Sequence, residues 1–322
     1  MKQFIIKILS FLFFSIVILV FCINVINSTI RDNAKFKIDQ NIKHVVFGHS
    51  HPECALNDSL ISDFKNLSRS AEIYFFTYPK VKNIIKQNPN IETVFIEFTN
   101  NYLDKRAEEL IWDSRFLAST YAVYSSFLSS VENFKLLTNN FLAFSNSFSI
   151  SLRKNVKRIY EHNYDYSWYL GGYRYTVINK ADSLVRNSIN ISEESHKTMS
   201  EISEYNILYL EKIVSFCLEK NKKVVLIRSP QHNKYPLLEN EKLFSELLRS
   251  RFSNVDFLDF NNFPLEISDY YDLNHLNYYG ARKFSIWFNT LLKNGLLENA
   301  DKQNYVNEQM AIYARNKKKS VL

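Results

Sequence analysis

Glycine is scarce, with five in 322 residues. Neither G-x-G-x-x-G nor G-x-x-x-x-G-K-[ST] occurs, so the glycine-rich backbone cradle that holds nucleotide phosphates has no place to form. The three cysteines, Cys22, Cys54 and Cys217, supply no C-x-x-C pair for a metal and no disulfide framework. No internal repeat is evident, which sets solenoids and propellers aside. Acidic residues are the minority, 33 against 40 basic ones, for a net charge of +7. The excess gathers in Arg153, Lys154, Lys157 and Arg158 and in Arg315, Lys317, Lys318 and Lys319. Patches of that size read as a solvated face and a tail rather than as a nucleic-acid surface.

What is present begins at the N-terminus. Residues 8–23 carry no charge and, with their flanks to Ile26, approach the ~20 apolar residues that span a bilayer. The stretch ends in Cys22-Ile23-Asn24-Val25-Ile26-Asn27 without an A-x-A-like cleavage site, so an uncleaved signal anchor is expected. Phe21 before Cys22 argues against a lipid-attachment signal. Lys2 and Lys7 precede the span, while Arg31, Lys35 and Lys37 follow it. The short N-terminal arm favours N-in, C-out, with the remaining chain outside the cytoplasm.

From Lys43 onward, short apolar runs alternate with amphipathic stretches. Strands are expected at 44–47, 73–76, 93–98, 223–228 and 255–258. Helices are expected at 58–67, over Val81, Ile84 and Ile85 to about Asn88-Pro89, and at 208–218, 243–248 and 279–292. Strands alternating with helices imply a parallel sheet covered on both faces. Residues 104–196 break the pattern with helical spacing and many aromatics, including the run Asn163 to Tyr173. The expected organisation is a stub and anchor at 1–30, an α/β domain at 31–103 and 197–296, a helical cap inserted at 104–196, and a basic polar tail at 297–322, mobile or loosely helical. The cap aromatics fit packing better than stacking on sugar rings.

Ligands of an open parallel sheet bind at the carboxyl ends of its strands. The conspicuous polar sequences fall there: Gly48-His49-Ser50-His51, Thr99-Asn100-Asn101, Ser229-Pro230-Gln231-His232, and Asp269-Tyr270-Tyr271-Asp272-Leu273-Asn274-His275. Serine, asparagine, histidine and aspartate at one edge are the inventory of acyl transfer. Ser50 is the candidate nucleophile, His275 the base, and Asp272 the group that orients it.

Gly48-His49-Ser50 after the first strand and Asp272-Leu273-Asn274-His275 near the C-terminus resemble the first and last motif blocks of the SGNH/GDSL hydrolases, above all their membrane-bound, envelope-polysaccharide-associated members. The resemblance covers most of the chain outside the anchor and cap. It implies a three-layer, flavodoxin-like α/β sandwich with a five-stranded parallel sheet and no metal or other cofactor. It also implies an oxyanion hole from the Ser50 backbone N–H, a glycine N–H after the second block, for which Ser70 or Ala71 stands here, and an asparagine, Asn100 or Asn101. The chain departs from the pattern in three places. His49 stands where the family commonly has aspartate, Asn66 to Ala71 lacks the second-block glycine, and the third block lacks its G-x-N-D setting.

The function implied is a serine esterase or an O-acyl (O-acetyl) transferase or deacetylase acting on acylated envelope glycan. Water and a sugar hydroxyl are equivalent acceptors for an acyl-Ser50 intermediate. Two alternatives remain open. An inactive SGNH-like domain would bind glycan or an envelope partner. A metal-dependent phosphoesterase-like enzyme would use His49 and His51 with Asp272, His275 and His232, because the Gly48-His49-Ser50-His51 run also resembles the G-H-x-H block of calcineurin-type enzymes. Otherwise His49, His51 and His232, with Cys54, read as residues that shape the pocket or touch substrate.

Overall fold

The structure, a computed structural model, describes residues 1–177, 201–234 and 240–319. The remainder of the expected cap, residues 178–196, and the chain end from residue 320 lie outside the described residues. The chain divides into two units, 1–36 with 111–169 and 37–110 with 170–322.

The larger unit is built on five parallel strands: β1 (His44–Phe47), β2 (Phe64–Asn66), β3 (Thr93–Glu97), β4 (Lys223–Arg228) and β5 (Asp256–Asp259), in the order β2-β1-β3-β4-β5. Val45, Val94 and Val224 lie in register across the sheet, and so do Val46, Phe95 and Val225. All six are buried. Because successive residues point to opposite faces, both faces of the sheet are covered, which is why its strands are continuously apolar. Helices α2 (Ser50–Ala55), α3 (Tyr74–Gln87), α8 (Glu204–Glu219), α9 (Glu241–Arg251), α10 (Tyr278–Lys293) and α11 (Lys302–Lys319) belong to this unit. One core cluster joins Val46, Phe95, Val225 and Leu258 of the sheet to Phe284, Trp287 and Phe288 of α10 and to Val306 and Met310 of α11.

Two expected elements differ. Residues 73–76 are not a strand: Ile73 is the N-cap of α3, and Tyr74, Phe75 and Phe76 form its first turn. All four residues are buried, and a fully buried apolar run of that length carries no period that separates strand from helix. The edge strand comes instead from the expected 58–67 helix, which is a single 3-10 turn at Asp58–Leu60 followed by β2. Asp63, with φ 54°, turns the chain between them and accepts the Lys43 and His44 N–H groups on its carbonyl. The tail is also more ordered than expected. Gln303 bonds the Asp259 N–H at 2.7 Å, Lys302 pairs with Asp256 at 3.0 Å, and Tyr313 packs on Phe263.

The smaller unit contains the apolar helix α1 (Lys2–Asn33), α5 (Ser114–Tyr124), α6 (Ser130–Asn139) and α7 (Phe141–Tyr160), with α4 (Lys105–Trp112) leading into it. Helix α1 is long and apolar enough to cross a membrane. The insertion between β3 and β4 is helical, but its limits shift: 104–110 and 170–177 belong to the α/β unit, and 31–36 to the helical one. Its aromatics divide: Tyr160 and Trp168 are exposed, whereas others pack. Tyr166 is buried, stacks on Phe36 at 4.7 Å and lies under the Arg158 guanidinium at 4.4 Å.

Candidate active site

In the order 2-1-3-4-5, the connections leave β1 and β3 in opposite directions, opening a crevice beyond their carboxyl ends. Ser50 sits there as the first residue of α2, three residues beyond the end of β1. Gly48 makes the tight exit. A Cβ on it would lie 2.6 Å from both the Glu97 Cβ and the Pro52 Cγ, so the close approach of β1, β3 and α2 requires glycine. As the opening residue of a helix, Ser50 presents an N–H that intrahelical bonding leaves free.

The D-x-x-H segment reaches the same point from the other side of the sequence. A bridge between Tyr270 and Leu276 and a bond from the Tyr271 N–H to the His275 carbonyl (2.8 Å) close it into a tight loop. Asn277 caps α10 behind it through the Tyr279 and Gly280 N–H groups. Inside the loop the Asp272 Oδ1 accepts from the Asn274 and His275 backbone N–H groups at 2.8 and 2.9 Å. The His275 Nδ1 lies 2.8 and 3.0 Å from the two Asp272 oxygens, and its Nε2 lies 2.7 Å from the Ser50 Oγ. Burial opposes ionisation of Asp272, but the bond and charge of His275 and the backbone donors outweigh it and hold the carboxyl below its ordinary value. Because the ionised Asp272 carboxylate can only accept, His275 donates its Nδ1–H to it, which leaves Nε2 as the acceptor facing the serine hydroxyl.

Beneath this chain lies a buried polar layer. His49 accepts the His51 N–H on its Nδ1 (3.4 Å), directs its Nε2 to the Thr99 hydroxyl (3.1 Å), and stacks on Tyr102 with ring centres 4.2 Å apart. Burial first, then the nearby His275, lowers its pKa to about 3. His51 has its ring centre 5.4 Å from that of His275. Its Nε2 meets two side-chain amide nitrogens, of Asn101 and Gln231, each at 3.4 Å. Its Nδ1 lies 3.8 Å from Glu97 Oε1. Glu97 accepts from the Ser229 N–H and hydroxyl at 3.0 and 2.7 Å. Burial nevertheless raises its pKa to about 8.

The two expected oxyanion asparagines separate. Asn101 remains beside His51. Asn100 is turned away: its oxygen accepts from Arg228 at 2.9 Å and its amide donates to Asn240 (2.7 Å) and Glu241 (3.1 Å). Arg228, which ion-pairs with Glu241 and Asp259, needs that oxygen, and this network claims Asn100. Ala71 lies in the turn hung on the first block by the Arg69 N–H to the Gly48 carbonyl (3.1 Å). Its φ is 57°, the left-handed conformation a glycine adopts at no steric cost, so Ala71 holds a glycine-like backbone without being glycine.

His232 is tied to the D-x-x-H loop by its N–H to the Leu273 carbonyl (3.0 Å), with its ring against Tyr270. Of the metal set expected from His49, His51, Asp272, His275 and His232, Asp272 and His275 bond each other and His275 bonds Ser50. His49, His51 and Glu97 instead hold potential ligand atoms within 4.8 Å of one another, all three residues buried.

Several participants were not legible in the sequence. Glu97 reads as one more strand residue and Gln231 as loop polarity. Arg174 belongs to a stretch where only Gly171-Gly172 stands out. Gly171, with φ 94°, lets the chain pass over the second block, where a Cβ would lie 2.2 Å from the Ser68 carbonyl oxygen. From there the Arg174 N–H bonds the Glu53 carbonyl (2.7 Å), and its guanidinium bonds the Ser70 Oγ (2.9 Å) and Cys54 Sγ (3.0 Å). Cys54 is thereby an acceptor, and burial pushes its pKa up to about 11.

The model of an uncharacterised protein family matches residues 151–297, less than half of the chain. That stretch carries β4, β5 and the D-x-x-H loop, but neither Ser50 nor β1. No curated protein matches the chain.

Proposed function

We propose that this chain is a membrane-anchored SGNH/GDSL-type serine esterase or O-acyl transferase, a three-layer sandwich whose substrate is an acylated cell-envelope glycan. The observation that carries the reading is the continuous chain Ser50 Oγ to His275 Nε2 (2.7 Å) to Asp272 (2.8 Å), made by two segments 225 positions apart. The base takes the hydroxyl proton as Ser50 attacks the ester carbonyl. Asp272 stabilises the imidazolium, and the leaving alcohol departs with the same proton. Water or a sugar hydroxyl then resolves the acyl-serine. The Ser50 N–H and the Asn101 amide are the oxyanion donors in this reading, the latter once it turns from His51.

The glycan assignment rests on the family resemblance and on α1, whose apolar length suits a single span with the rest of the chain outside the cytoplasm. The test is hydrolysis of a small acetyl ester by the full-length protein in detergent. Ser50→Ala should abolish turnover with an unchanged thermal unfolding profile, and equal turnover in the variant removes the mechanism.

The buried His49, His51 and Glu97 cluster favours one second reading, metal-assisted hydrolysis. It predicts that activity disappears with a chelator and returns with zinc or manganese, and that Glu97→Gln is as damaging as Ser50→Ala.

A further inference from the structure

We infer that the helical unit carries a second membrane contact: the tip formed by the end of α6 and the start of α7 dips into the leaflet beside α1. This rests on the reading of α1 as a bilayer span.

The side chains that α1 shares with the helical unit set the levels of the two helices. Ile23 and Asn27 line one small cavity with Phe148, Ser151 and Asn155 of α7. Asn27 accepts from the Ser126 hydroxyl, which accepts in turn from the Asn155 amide, both at 2.9 Å. Further on, the Lys35 N–H bonds the Tyr164 carbonyl at 2.9 Å. Positions 23, 27 and 35 thus meet positions near 150, 155 and 164, so α7 runs parallel to α1. Its beginning lies on the side toward the apolar, exposed part of α1, residues 8–21.

At the tip itself Phe141 is 63% and Leu142 79% exposed, and Phe134 in the middle of α6 is 64% exposed. Two adjacent large apolar side chains exposed at the turn between α6 and α7, with Phe134 behind them, form a patch that water alone does not favour. The charges of α7 are sorted along the same axis. Residues 141–152 carry none, about 18 Å of helix at 1.5 Å per residue. The exposed Arg153, Lys154 and Lys157 follow, and Arg31 bonds the carbonyl of Ser126, whose hydroxyl meets Asn155 in the same stretch. Apolar aromatics at the membrane end with cations behind them are the pattern of an interfacial helix, buried about 5–10 Å into the headgroup and acyl boundary. Lys135 and Arg115, both exposed near the tip, reach headgroup phosphates from there. The surface is continuous with the lipid-facing side of α1, so the occupant is the bilayer itself.

The test is site-directed fluorescence on the full-length protein in phosphatidylcholine and phosphatidylglycerol nanodiscs. Cys22→Ser removes the exposed thiol, while Cys54 and Cys217 are buried. An environment-sensitive dye is placed by Leu142→Cys, Phe14→Cys or Lys154→Cys. The inference predicts that the dye at 142 shifts to the blue and is quenched by acyl-chain spin-labelled lipid, as at 14, whereas the dye at 154 is quenched by iodide. Iodide quenching at 142 with lipid quenching at 14 overturns the inference and leaves the anchor standing. Protection at 142 from both quenchers means that protein covers the tip, and also overturns it. Loss of lipid quenching at 14 as well removes the anchor reading itself.

Discussion

At the residue scale, three side chains divide the work between stability and chemistry. Asp272→Asn preserves the loop but reverses the hydrogen-bond polarity at the His275 Nδ1, so kcat should fall by about 10⁴-fold with little change in melting temperature. Asn100 and Asn101 give a sharper contrast. Asn101→Ala should lower kcat by roughly 10²-fold or more through loss of an oxyanion donor. Asn100→Ala should instead destabilise the fold by about 1–3 kcal/mol, because the buried Arg228 loses an acceptor. Steady-state kinetics beside thermal unfolding separates the two, and the reverse pattern assigns the roles the other way. The meeting of Ser50 with the D-x-x-H loop was legible because both segments follow strands whose carboxyl ends share one sheet edge. Asn100 and Asn101 were indistinguishable, since only the distant Arg228 and Glu241 decide which of them faces the site. Ala71 shows the same limit: its left-handed backbone is imposed by the turn on Gly48 and leaves no mark in its side chain.

At the element scale, β1, β3 and β4 were legible because a strand buried on both faces reads as an unbroken apolar run. The edge strand was not. Phe64-Lys65-Asn66 is short and half polar, and its place depends on the Asn66 amide bonding the Pro52 and Leu56 carbonyls at 2.8 and 2.7 Å. The aromatic run at 73–76 lies in α3, where Tyr74 spans to the Glu97 carbonyl (2.5 Å). The segment after Gly171 makes a further prediction. Gly171→Ala meets both an unfavourable φ and the Ser68 carbonyl. It should lift the 171–174 segment from the second block, cost about 1–3 kcal/mol, and raise hydrogen exchange at the Gly172 and Arg174 amides. Unchanged exchange at those two amides contradicts the account.

At the scale of the whole molecule, the buried polar layer makes stability depend on pH in two opposed ways. His49 and His51 are held neutral in the folded protein and titrate near 6.5 when unfolded. Below that pH the unfolded chain binds more protons than the folded one, and stability falls. Glu97 is the reverse: its folded pKa of about 8 exceeds the ordinary 4.5, so its contribution is present at low pH and is lost as pH rises toward 8. Stability should therefore peak near pH 6.5, changing by about 1.4 kcal/mol per pH unit for each net proton. Denaturant midpoints should decline on both sides, and Glu97→Gln should flatten the alkaline side while steepening the fall between about pH 6.5 and 4.5, where Glu97 no longer offsets the histidines. A midpoint that rises steadily from pH 6.5 to 8 rules out a protonated Glu97.

The central claim, a nucleophilic Ser50 activated by His275, is tested most directly by treating the full-length protein with a serine-directed fluorophosphonate and locating the adduct by mass spectrometry. The account predicts one stoichiometric adduct, on Ser50, lost in His275→Ala. Labelling elsewhere, or at Ser50 with equal rate in His275→Ala, contradicts it.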